Sequence, residues 1–388
     1  GDWEALLLEG LRASVGRMLV SDVPLGVFLS GGLDSSTLAC LASERSAHIK
    51  TFSVAFSERS FDESGYARRV ARALGTDHHE ERLGPQALLE VLDPVVEQLD
   101  EPLGDAAILP TYLLSRYARQ SVTVVLTGEG ADELLAGYPT YPAHRLAERV
   151  RRSNRALVSA VRGMVARLPV STGYMSLDFK LKRFFRHLNQ EPDLRHFLWM
   201  GSYTPEDKRD LYTADLAAAI RRPTYPEFRG RGGLTLLQRI QDLDLRTYLP
   251  DDLLVKLDRA TMAVSLEGRV PYLDHTLVEQ LADLPDGMKL RGMIGKRVLR
   301  RAMAGRLPAE VLARPKKGFG IPVAGWLKAE LKPLLDRLVE PVRLRRQGLF
   351  RPETVGRLVE EHRSGRADHR KPLWTLIMFL LWQERYLE

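Results

Sequence analysis

The chain has 388 residues, a net charge of +7 and an apolar fraction of 44%, values typical of a soluble globular protein with a sizeable core. Its single cysteine, Cys40, excludes a disulfide framework and a cysteine-ligated zinc site within the chain. The longest apolar run, residues 373–382, is too short to span a bilayer, and the N-terminus does not resemble a signal peptide. We therefore expect a cytoplasmic protein with no membrane partner.

Strands and helices alternate along the first third of the chain. A lead-in helix in residues 1–20 precedes four predicted strands, "GVFLS", "KTFSVAF", the weaker "HHEERL" and "VTVVLT", which are separated by helical segments. This order predicts an α/β fold with a parallel sheet covered on both faces. After about Tyr141 the pattern is almost wholly helical, with breaks predicted at residues 167–175 and 221–233.

The first predicted strand leads into "SGGLDSS", a pattern that favours anion binding. Glycines allow backbone N–H groups to approach an oxyanion closely, and the following helix N-terminus adds partial positive charge. Asp34 would repel phosphate unless a cation lay between them, which points to Mg²⁺. Alternatively, Asp34 is an ordinary acid in the first turn of a helix.

The fourth predicted strand ends in a second glycine-rich and acidic stretch, "GEGADELLAGYPTY". Glu129, Asp132 and Glu133 fall within five residues and would repel one another unless cations or amines balance them. Asp132 is a candidate for a second Mg²⁺ ligand that faces Asp34. A solvated acidic turn is the alternative, although the apolar run before it favours a partly buried strand end.

Several motifs resemble known proteins. "SGGLDS" is similar to the pyrophosphate loop of the adenine-nucleotide α-hydrolase-like superfamily, whose members cleave ATP to AMP and pyrophosphate. "LTGEGADELLAGYPTY", "YLPDDLLVKLDRATMAVSLEGRVPYLD" and "GKRVLRRAMAGRLPAEVLARPKKGFGIPVAGWL" resemble the synthetase domain of the glutamine-dependent asparagine synthetase family. The resemblance covers nearly the whole chain, in order.

The resemblance implies an ATP-dependent amide ligase that uses ATP and Mg²⁺. It would form an acyl-adenylate of aspartate and transfer ammonia, giving asparagine, AMP and pyrophosphate. Residues 21–145 would be the ATP-pyrophosphatase core and residues 146–388 a helical part that completes the site. That family's glutaminase domain begins with a nucleophilic cysteine. We expect it to be absent from this chain, so that ammonia is free or comes from a separate or covalently linked glutaminase.

The same resemblance implies roles for individual residues. Asp34 and Asp132 would bind Mg²⁺, Glu129 would orient or deprotonate ammonia, and Lys296 would neutralise charge on the α-phosphate and the acyl oxygen. Glu133 is a weaker candidate for the role of Glu129. The residues expected to bind ATP or pyrophosphate are Leu29, Ser30, Gly31, Gly32, Asp34, Ser35, Val54, Gly128 and Lys316.

Two further expectations and one departure from the family pattern remain. Lys316 and Lys317 could close over pyrophosphate or lie in a solvated loop. Asp105 is a candidate substrate contact, although the alanines that follow it, where serines are common in the family, weaken this interpretation. Thr127 stands where the family often has serine.

Other functions remain open. β-Lactam synthetases and lasso-peptide cyclases share the scaffold and close an amide within one molecule. A tRNA-modifying enzyme would suit the basic charge, but the chain has no Cys-x-x-Cys and no basic strip interleaved with aromatic residues, so we do not expect a nucleic-acid partner. A non-catalytic ATP-binding protein would not need Asp34, Glu129, Asp132 and Lys296 together. A homodimer is left open.

Overall fold

A computed structural model describes residues 2–58, 60–171, 173, 175–220 and 232–387. The chain divides into two compact units. The first comprises Gly1–Val91, Ala107–Ala143 and Gly232–Phe319, and the second comprises Leu92–Ala106, His144–Arg231 and Gly320–Glu388. The functional division into residues 1–20, 21–145 and 146–388 stays a prediction.

The first unit is built around a five-stranded sheet in which every neighbouring pair of strands is parallel. Its order is β3-β2-β1-β4-β5. The strands are β1 (Leu25–Phe28), β2 (Lys50–Phe56), β3 (Asp77–Leu83), β4 (Val124–Leu126) and β5 (Glu267–Arg269). β4 is wholly buried and β2 nearly so, as expected for parallel strands covered on both faces. The predicted α/β class is confirmed.

Helices form most of the remaining described chain. In chain order they are α1 (Trp3–Met18), α2 (Leu33–Ser43), α3 (Ser64–Leu74), α4 (Pro85–Glu90), α5 (Leu92–Glu97), α6 (Ile108–Arg119), α7 (Ala131–Leu135), α8 (Thr140–Arg151), α9 (Arg155–Ala166), α10 (Leu177–Arg186), α11 (Pro192–Met200), α12 (Pro205–Leu211), α13 (Ala214–Ala219), α14 (Leu236–Arg246), α15 (Val255–Met262), α16 (His275–Leu281), α17 (Asp286–Lys289), α18 (Arg297–Ala302), α19 (Ala309–Ala313), α20 (Val323–Trp326), α21 (Lys332–Leu338), α22 (Pro341–Gln347), α23 (Pro352–Arg363) and α24 (Arg370–Tyr386). A π-helical segment, Leu249–Leu254, leads into α15, and a short 3-10 helix spans Pro271–Leu273.

Local chemistry explains where several helices begin and end. The side chain of Asp2 accepts hydrogen bonds from two backbone N–H groups in the first turn of α1 and caps it. α3 ends at Leu74 and is followed by Gly75, whose φ of 67° is the left-handed conformation that glycine adopts readily. α4 ends at Glu90, four residues before Pro94. In a continuous helix the ring of Pro94 would clash with the carbonyl oxygen of Glu90, so the helix stops there.

One prediction about the second half of the chain is wrong. Strands were expected to stop at about Tyr141, but β5 follows much later and pairs with β4. Its three residues, "EGR", have neither β-branched side chains nor apolar alternation. The strand exists because Leu126 and its neighbours on β4 offer backbone partners, so long-range pairing outweighs local sequence preference.

The second unit is helical. The predicted buried C-terminal helix is confirmed as α24, which buries an apolar stripe that includes Leu373, Ile377 and Leu380. The break predicted at residues 167–175 separates α9 from α10, with residues 172 and 174 outside the described part of the chain. Most of the break predicted at residues 221–233 lies outside the described residues. Across the described ranges, no helix combines the length and apolar character needed to cross a bilayer.

Candidate active site

The segment Ser30–Ser35, which links β1 to α2 and includes the first three residues of α2, is closed by its own hydroxyl groups. The Oγ atoms of Ser30 and Ser35 lie 3.1 Å apart, and Ser35 Oγ also accepts the Ser30 N–H at 3.2 Å. The Gly32 N–H donates to Ser30 Oγ at 3.2 Å. Side chains within the segment therefore hold the loop in a fixed shape as the chain turns into the first residues of α2.

Gly31 is required at its position for two reasons. Its φ of 69° is in the left-handed region, where a residue with a side chain is strained. A Cβ atom there would also lie 2.4 Å from the backbone nitrogen of Ala67 and 2.5 Å from the Cβ of Tyr66. The loop thus packs against α3 through a position that only glycine fits.

The N-terminus of α2 has the features of an anion site. Gly32 is the N-cap residue, and no side chain of the described residues caps the helix. The first N–H groups of a helix point outward with partial positive charge, and phosphates commonly bind there. The geometry supports the predicted phosphate site, although ligand contacts of Ser30, Gly31, Gly32 and Ser35 stay predictions.

The second predicted segment lies at the end of the neighbouring strand. β1 and β4 are adjacent and parallel, so the segments that follow them meet at the same edge of the sheet. A Cβ atom on Gly128 would lie 3.3 Å from the Cβ of Asp34, which shows how closely the two segments approach. Asp132 and Glu133, in the first turn of α7, are 7% and 1% exposed, so the solvated-turn alternative is wrong.

Two lysines from distant parts of the chain converge on the two aspartates. Lys296 Nζ lies 2.5 Å from Asp34 Oδ2 and 2.6 Å from Asp132 Oδ1. Lys316 Nζ contacts Asp132 Oδ2 and lies 3.9 Å from Asp34 Oδ2. We call these four residues the lysine–carboxylate cluster. It contains two positive and two negative charges. The attraction between them offsets the desolvation cost that an unpaired buried charge would carry.

Small residues make room for Lys296. A Cβ atom on Gly137 would lie 1.9 Å from Asp132 Oδ1 and 2.1 Å from Lys296 Cε, and one on Gly295 would lie 2.0 Å from the carbonyl oxygen of Ala136. Lys296 itself has a φ of 54°, an uncommon conformation for a residue with a side chain. Strained backbone of this kind is concentrated at functional sites, where the surrounding structure maintains it.

The charge balance appears in the pKa values of the cluster. Burial alone would raise the pKa of Asp132, but the ammonium groups of Lys296 and Lys316 outweigh it and lower that pKa below its ordinary value. Burial alone would lower the pKa of Lys316, but Asp132 and Asp34 outweigh it and raise that pKa well above its ordinary value. Both groups are therefore held in their charged forms.

Glu133 has a different environment from its neighbour Asp132. Burial, together with the adjacent charge of Asp132, raises the pKa of Glu133 to about 7. The hydroxyl of Tyr138 donates to Glu133 Oε1 at 2.5 Å, whereas Oε2 is buried without a hydrogen-bond partner in the described part of the chain. The side chain is thus held by a tyrosine rather than by a lysine, and its proposed role stays secondary to that of Glu129.

The surroundings of the remaining predicted site residues indicate less about their roles. Leu29 and Val54 are buried near the carboxyl ends of β1 and β2, and Glu129 is half-buried in the segment after β4. Their proposed contacts with adenine and ammonia stay predictions. Asp105 lies in an irregular segment of the second unit, and its proposed contact with substrate also stays a prediction.

The residues present fit Mg²⁺. Asp34 Oδ2 and Asp132 Oδ1 lie at most about 5 Å apart, because both are close to Lys296 Nζ. Asp34 Oδ1 is buried and makes no hydrogen bond to any described residue. The described chain has no group of three or more metal-ligating side chains. Proteins usually hold Mg²⁺ with one or two carboxylates, and water and substrate phosphates supply the remaining ligands.

Sequence reasoning missed several residues that shape this site. Tyr272 is fully buried, and its hydroxyl donates to the backbone carbonyl of Asp34 at 3.2 Å. Gly137 and Tyr138 lie within the quoted acidic motif, but only the structure shows what they contact. Glu63 and Arg314 form a nearly buried ion pair although they are 251 residues apart in the sequence. No local sequence pattern predicts such a pair.

Comparison with known proteins agrees with the fold. The family model for asparagine synthase matches residues 6–384. A putative glutamine-hydrolyzing asparagine synthetase of Mycobacterium tuberculosis is 35% identical over 97% of this chain and 57% of its own length. The glutamine-hydrolyzing asparagine synthetase 1 of Bacillus subtilis is 32% identical over 98% of this chain and 59% of its own length.

A parallel α/β sheet with a glycine-rich loop and buried carboxylates at its carboxyl edge places the protein in the adenine-nucleotide α-hydrolase class of folds. Within that class, this chain belongs to the asparagine synthase family, as the resemblance in the sequence implied. The chain spans somewhat more than half the length of the curated relatives it matches. A protein named amidase chyE, from Penicillium rubens, is also similar, at 26% identity over 87% of this chain.

Proposed function

We propose that the protein is an ATP-dependent amide ligase that adenylates the side-chain carboxylate of aspartate and transfers ammonia to it. The products would be asparagine, AMP and pyrophosphate. The observation that carries the proposal is the convergence of Lys296 and Lys316 on Asp34 and Asp132, directly beside a phosphate-type loop. Membership of the asparagine synthase family supports the same reaction.

The loop would bind the phosphates that leave as pyrophosphate. Backbone N–H groups at Gly31 and Gly32 and the hydroxyls of Ser30 and Ser35 would be the donors, with the Gly32 N–H exchanging its bond to Ser30 Oγ for one to phosphate. The uncapped start of α2 adds partial positive charge. Adenine would lie near Leu29, Val54 and Gly128. Lys316, which reaches the cluster from a segment without regular secondary structure, would also contact the phosphates.

Asp34 and Asp132 would hold Mg²⁺ when ATP binds. The ion supplies Lewis-acid stabilisation of negative charge on the phosphate oxygens. Lys296, which is 4% exposed, would then face the α-phosphate and the acyl oxygen, where charge accumulates during transfer of the adenylyl group. A preorganised cation in such a dry site is worth several kcal/mol because it requires no reorganisation at the moment of reaction.

The second step would be attack of ammonia on the acyl carbon of the adenylate, with AMP as the leaving group. Glu129, half-buried in the segment between β4 and α7, is our choice for the group that orients or deprotonates ammonia. Glu133 is a weaker choice, since Tyr138 already donates to it. Free ammonia, or a separate or covalently linked glutaminase, would supply the nitrogen. A cytoplasmic location and a homodimer stay predictions.

An intramolecular amide-forming reaction is the second candidate. The loop, the two aspartates and Lys296 would serve any acyl-adenylate, so they do not select aspartate. Similarity to a protein named as an amidase means that family membership does not fix the reaction either. The identity of the acid that is adenylated should therefore be determined first.

The test is release of AMP and pyrophosphate with Mg-ATP, aspartate and ammonium chloride, with asparagine detected by mass spectrometry. Asparagine formed without glutamine would support the proposal. Aspartate-independent AMP release, or ATP–pyrophosphate exchange driven by other acids, would move the assignment to the second candidate.

A variant connects this assay to the site. Asp34→Asn should abolish AMP formation and leave the circular dichroism spectrum unchanged. The control is Asp283→Asn, which changes an exposed aspartate of the same unit and should retain full activity. Unchanged turnover in Asp34→Asn would remove its proposed Mg²⁺ role.

A further inference from the structure

Arg314 joins three parts of the first unit that are distant in sequence. Its guanidinium Nη1 donates to the carbonyl oxygen of Gly31 at 3.1 Å, and Nη2 pairs with the carboxylate of Glu63. Its Cζ atom lies 4.2 Å from the centroid of the Tyr66 ring. The side chain is 9% exposed, so these contacts are made largely out of water, where charge-assisted hydrogen bonds are strongest.

The contact at Gly31 bears on the orientation of the phosphate-type loop. A trans peptide points its C=O and the next N–H in opposite directions. Since the Gly31 carbonyl points to Arg314, the Gly32 N–H points to the other side, where it meets Ser30 Oγ at 3.2 Å. Arg314 therefore fixes the orientation of one of the peptide groups proposed to face the phosphates.

The backbone of Arg314 is anchored too. Arg300 donates to the carbonyl oxygens of Gly295 at 3.1 Å and of Arg314 at 3.1 Å, and it also contacts the carbonyl of Leu312. Gly295 precedes Lys296, and Arg314 lies two residues before Lys316. One guanidinium thus ties together the backbone segments that carry both lysines of the lysine–carboxylate cluster.

We propose that Arg314 is a positioning residue that holds the Gly31–Gly32 peptide and the segment 314–319 in the arrangement that binds the phosphates of the nucleotide. The inference rests on the proposed function of the same site. Arg314 acts through the loop and through Lys316, since its own guanidinium is already occupied by Gly31 and Glu63. Its role is separate from that of Lys296, which acts within the cluster.

Glu63 makes the arrangement dependent on arginine. Its side chain is 11% exposed, and burial raises the pKa of its carboxyl group while Arg314 opposes that rise. A lysine could pair with Glu63 or reach Gly31, but its single ammonium has no planar fork that serves both at once. Arg314→Lys should therefore retain only part of the function.

The experiment measures binding of magnesium pyrophosphate and of Mg-ATP by calorimetry, together with KM and kcat for AMP formation. Arg314→Ala should weaken pyrophosphate binding and raise KM for ATP by about 10- to 100-fold, the range for loss of one or two charge-assisted contacts. KM for the acyl substrate should change less than about twofold, because the residue acts on the phosphate side. Arg314→Lys should fall between Arg314→Ala and the wild type.

Arg69→Ala is the matched control. Arg69 also lies over the Tyr66 ring, at 4.8 Å, and also pairs with a glutamate, Glu310 at 3.0 Å. It lies on α3 and is half-exposed, and its hydrogen bonds go to Gly65 and Glu310 rather than to the loop. Its removal should leave both binding constants within about twofold of the wild type, as for an exposed pair.

A double-mutant cycle tests the route through Lys316. If Arg314 acts by placing Lys316, the loss in Arg314→Ala/Lys316→Ala should be smaller than the product of the two single losses. Wild-type pyrophosphate binding in Arg314→Ala overturns the inference and leaves the proposed function intact. If that variant does not fold, wild-type binding in Arg314→Lys overturns it. A wild-type protein that binds neither Mg-ATP nor pyrophosphate overturns the proposed function and the inference together.

Discussion

The two parts of the candidate site are held in different ways. The loop Ser30–Ser35 is closed by neutral hydroxyl and backbone groups that are neighbours in the chain. The lysine–carboxylate cluster takes its four charges from four separate segments and holds them in close contact. The loop therefore depends on backbone conformation and the cluster on charge balance, and each should fail in its own way when altered.

Gly137→Ala should have the largest effect, because it attacks the cluster without changing any charge. Its new Cβ atom would meet Asp132 Oδ1 and Lys296 Cε at about 2 Å, so Lys296 must move. Loss of a preorganised charge contact costs about 10²- to 10³-fold in rate. The expected result is a fall of that size in the kcat for AMP formation, measured at saturating ATP.

The control for Gly137→Ala is Gly356→Ala, which lies in α23 with open space around the new Cβ atom. It should keep full activity and raise the stability slightly, because alanine favours a helix over glycine. Retention of activity in Gly137→Ala within about fivefold would show that Lys296 does not need its present position, against the range expected for an oriented charge.

The loop offers a matched pair of variants. Gly31→Ala should destabilise the protein by about 1–3 kcal/mol and impair phosphate binding, because its φ of 69° and its contact with Ala67 exclude a side chain. Gly32→Ala should cost about 1 kcal/mol at most, since its φ is −76° and, among the described residues other than its chain neighbours, the new Cβ would approach only Ser30 Oγ, at 3.2 Å. Urea unfolding and pyrophosphate titration measure both, and equal losses in the two variants would refute the conformational argument.

The same contrast decides what the sequence could predict. The loop is contiguous, so "SGGLDSS" alone indicated a strand end, a glycine turn and a helix start, and the structure confirms that arrangement. The convergence of Lys296 and Lys316 on two aspartates depends on pairing across more than 160 residues, and spacing cannot reveal it. Only the family resemblance singled out Lys296. β5 was missed for the same reason, because its pairing with β4 is tertiary.

The charge balance of the cluster predicts weak binding of Mg²⁺ alone. Two ammonium groups already neutralise Asp34 and Asp132, so free Mg²⁺ must compete with Lys296 and Lys316. Lys316→Ala leaves the cluster with a net negative charge and should tighten Mg²⁺ binding about tenfold in calorimetry without nucleotide. Weaker Mg²⁺ binding in this variant would contradict the competition. The control, Lys332→Ala, removes an exposed lysine of the second unit and should change nothing.

Thr127 lies where the two parts meet, just before Gly128, and substitutions there should have the smallest effects. It is 2% exposed, its N–H donates to the backbone carbonyl oxygen of Arg269 at 2.8 Å, and its Oγ1 is buried without a hydrogen-bond partner among the described residues. Thr127→Val replaces an unsatisfied hydroxyl with a methyl group of similar size, so the free energy of unfolding should rise by up to about 1 kcal/mol. Thr127→Ser keeps the hydroxyl but removes a buried methyl group and should lower it by about 1 kcal/mol. Urea unfolding separates these opposite signs. None of the described residues hydrogen-bonds to this hydroxyl. A loss of AMP formation in Thr127→Val but not in Thr127→Ser would therefore mean that the hydroxyl contacts the substrate, and Thr127 would add a neutral donor to those of the loop.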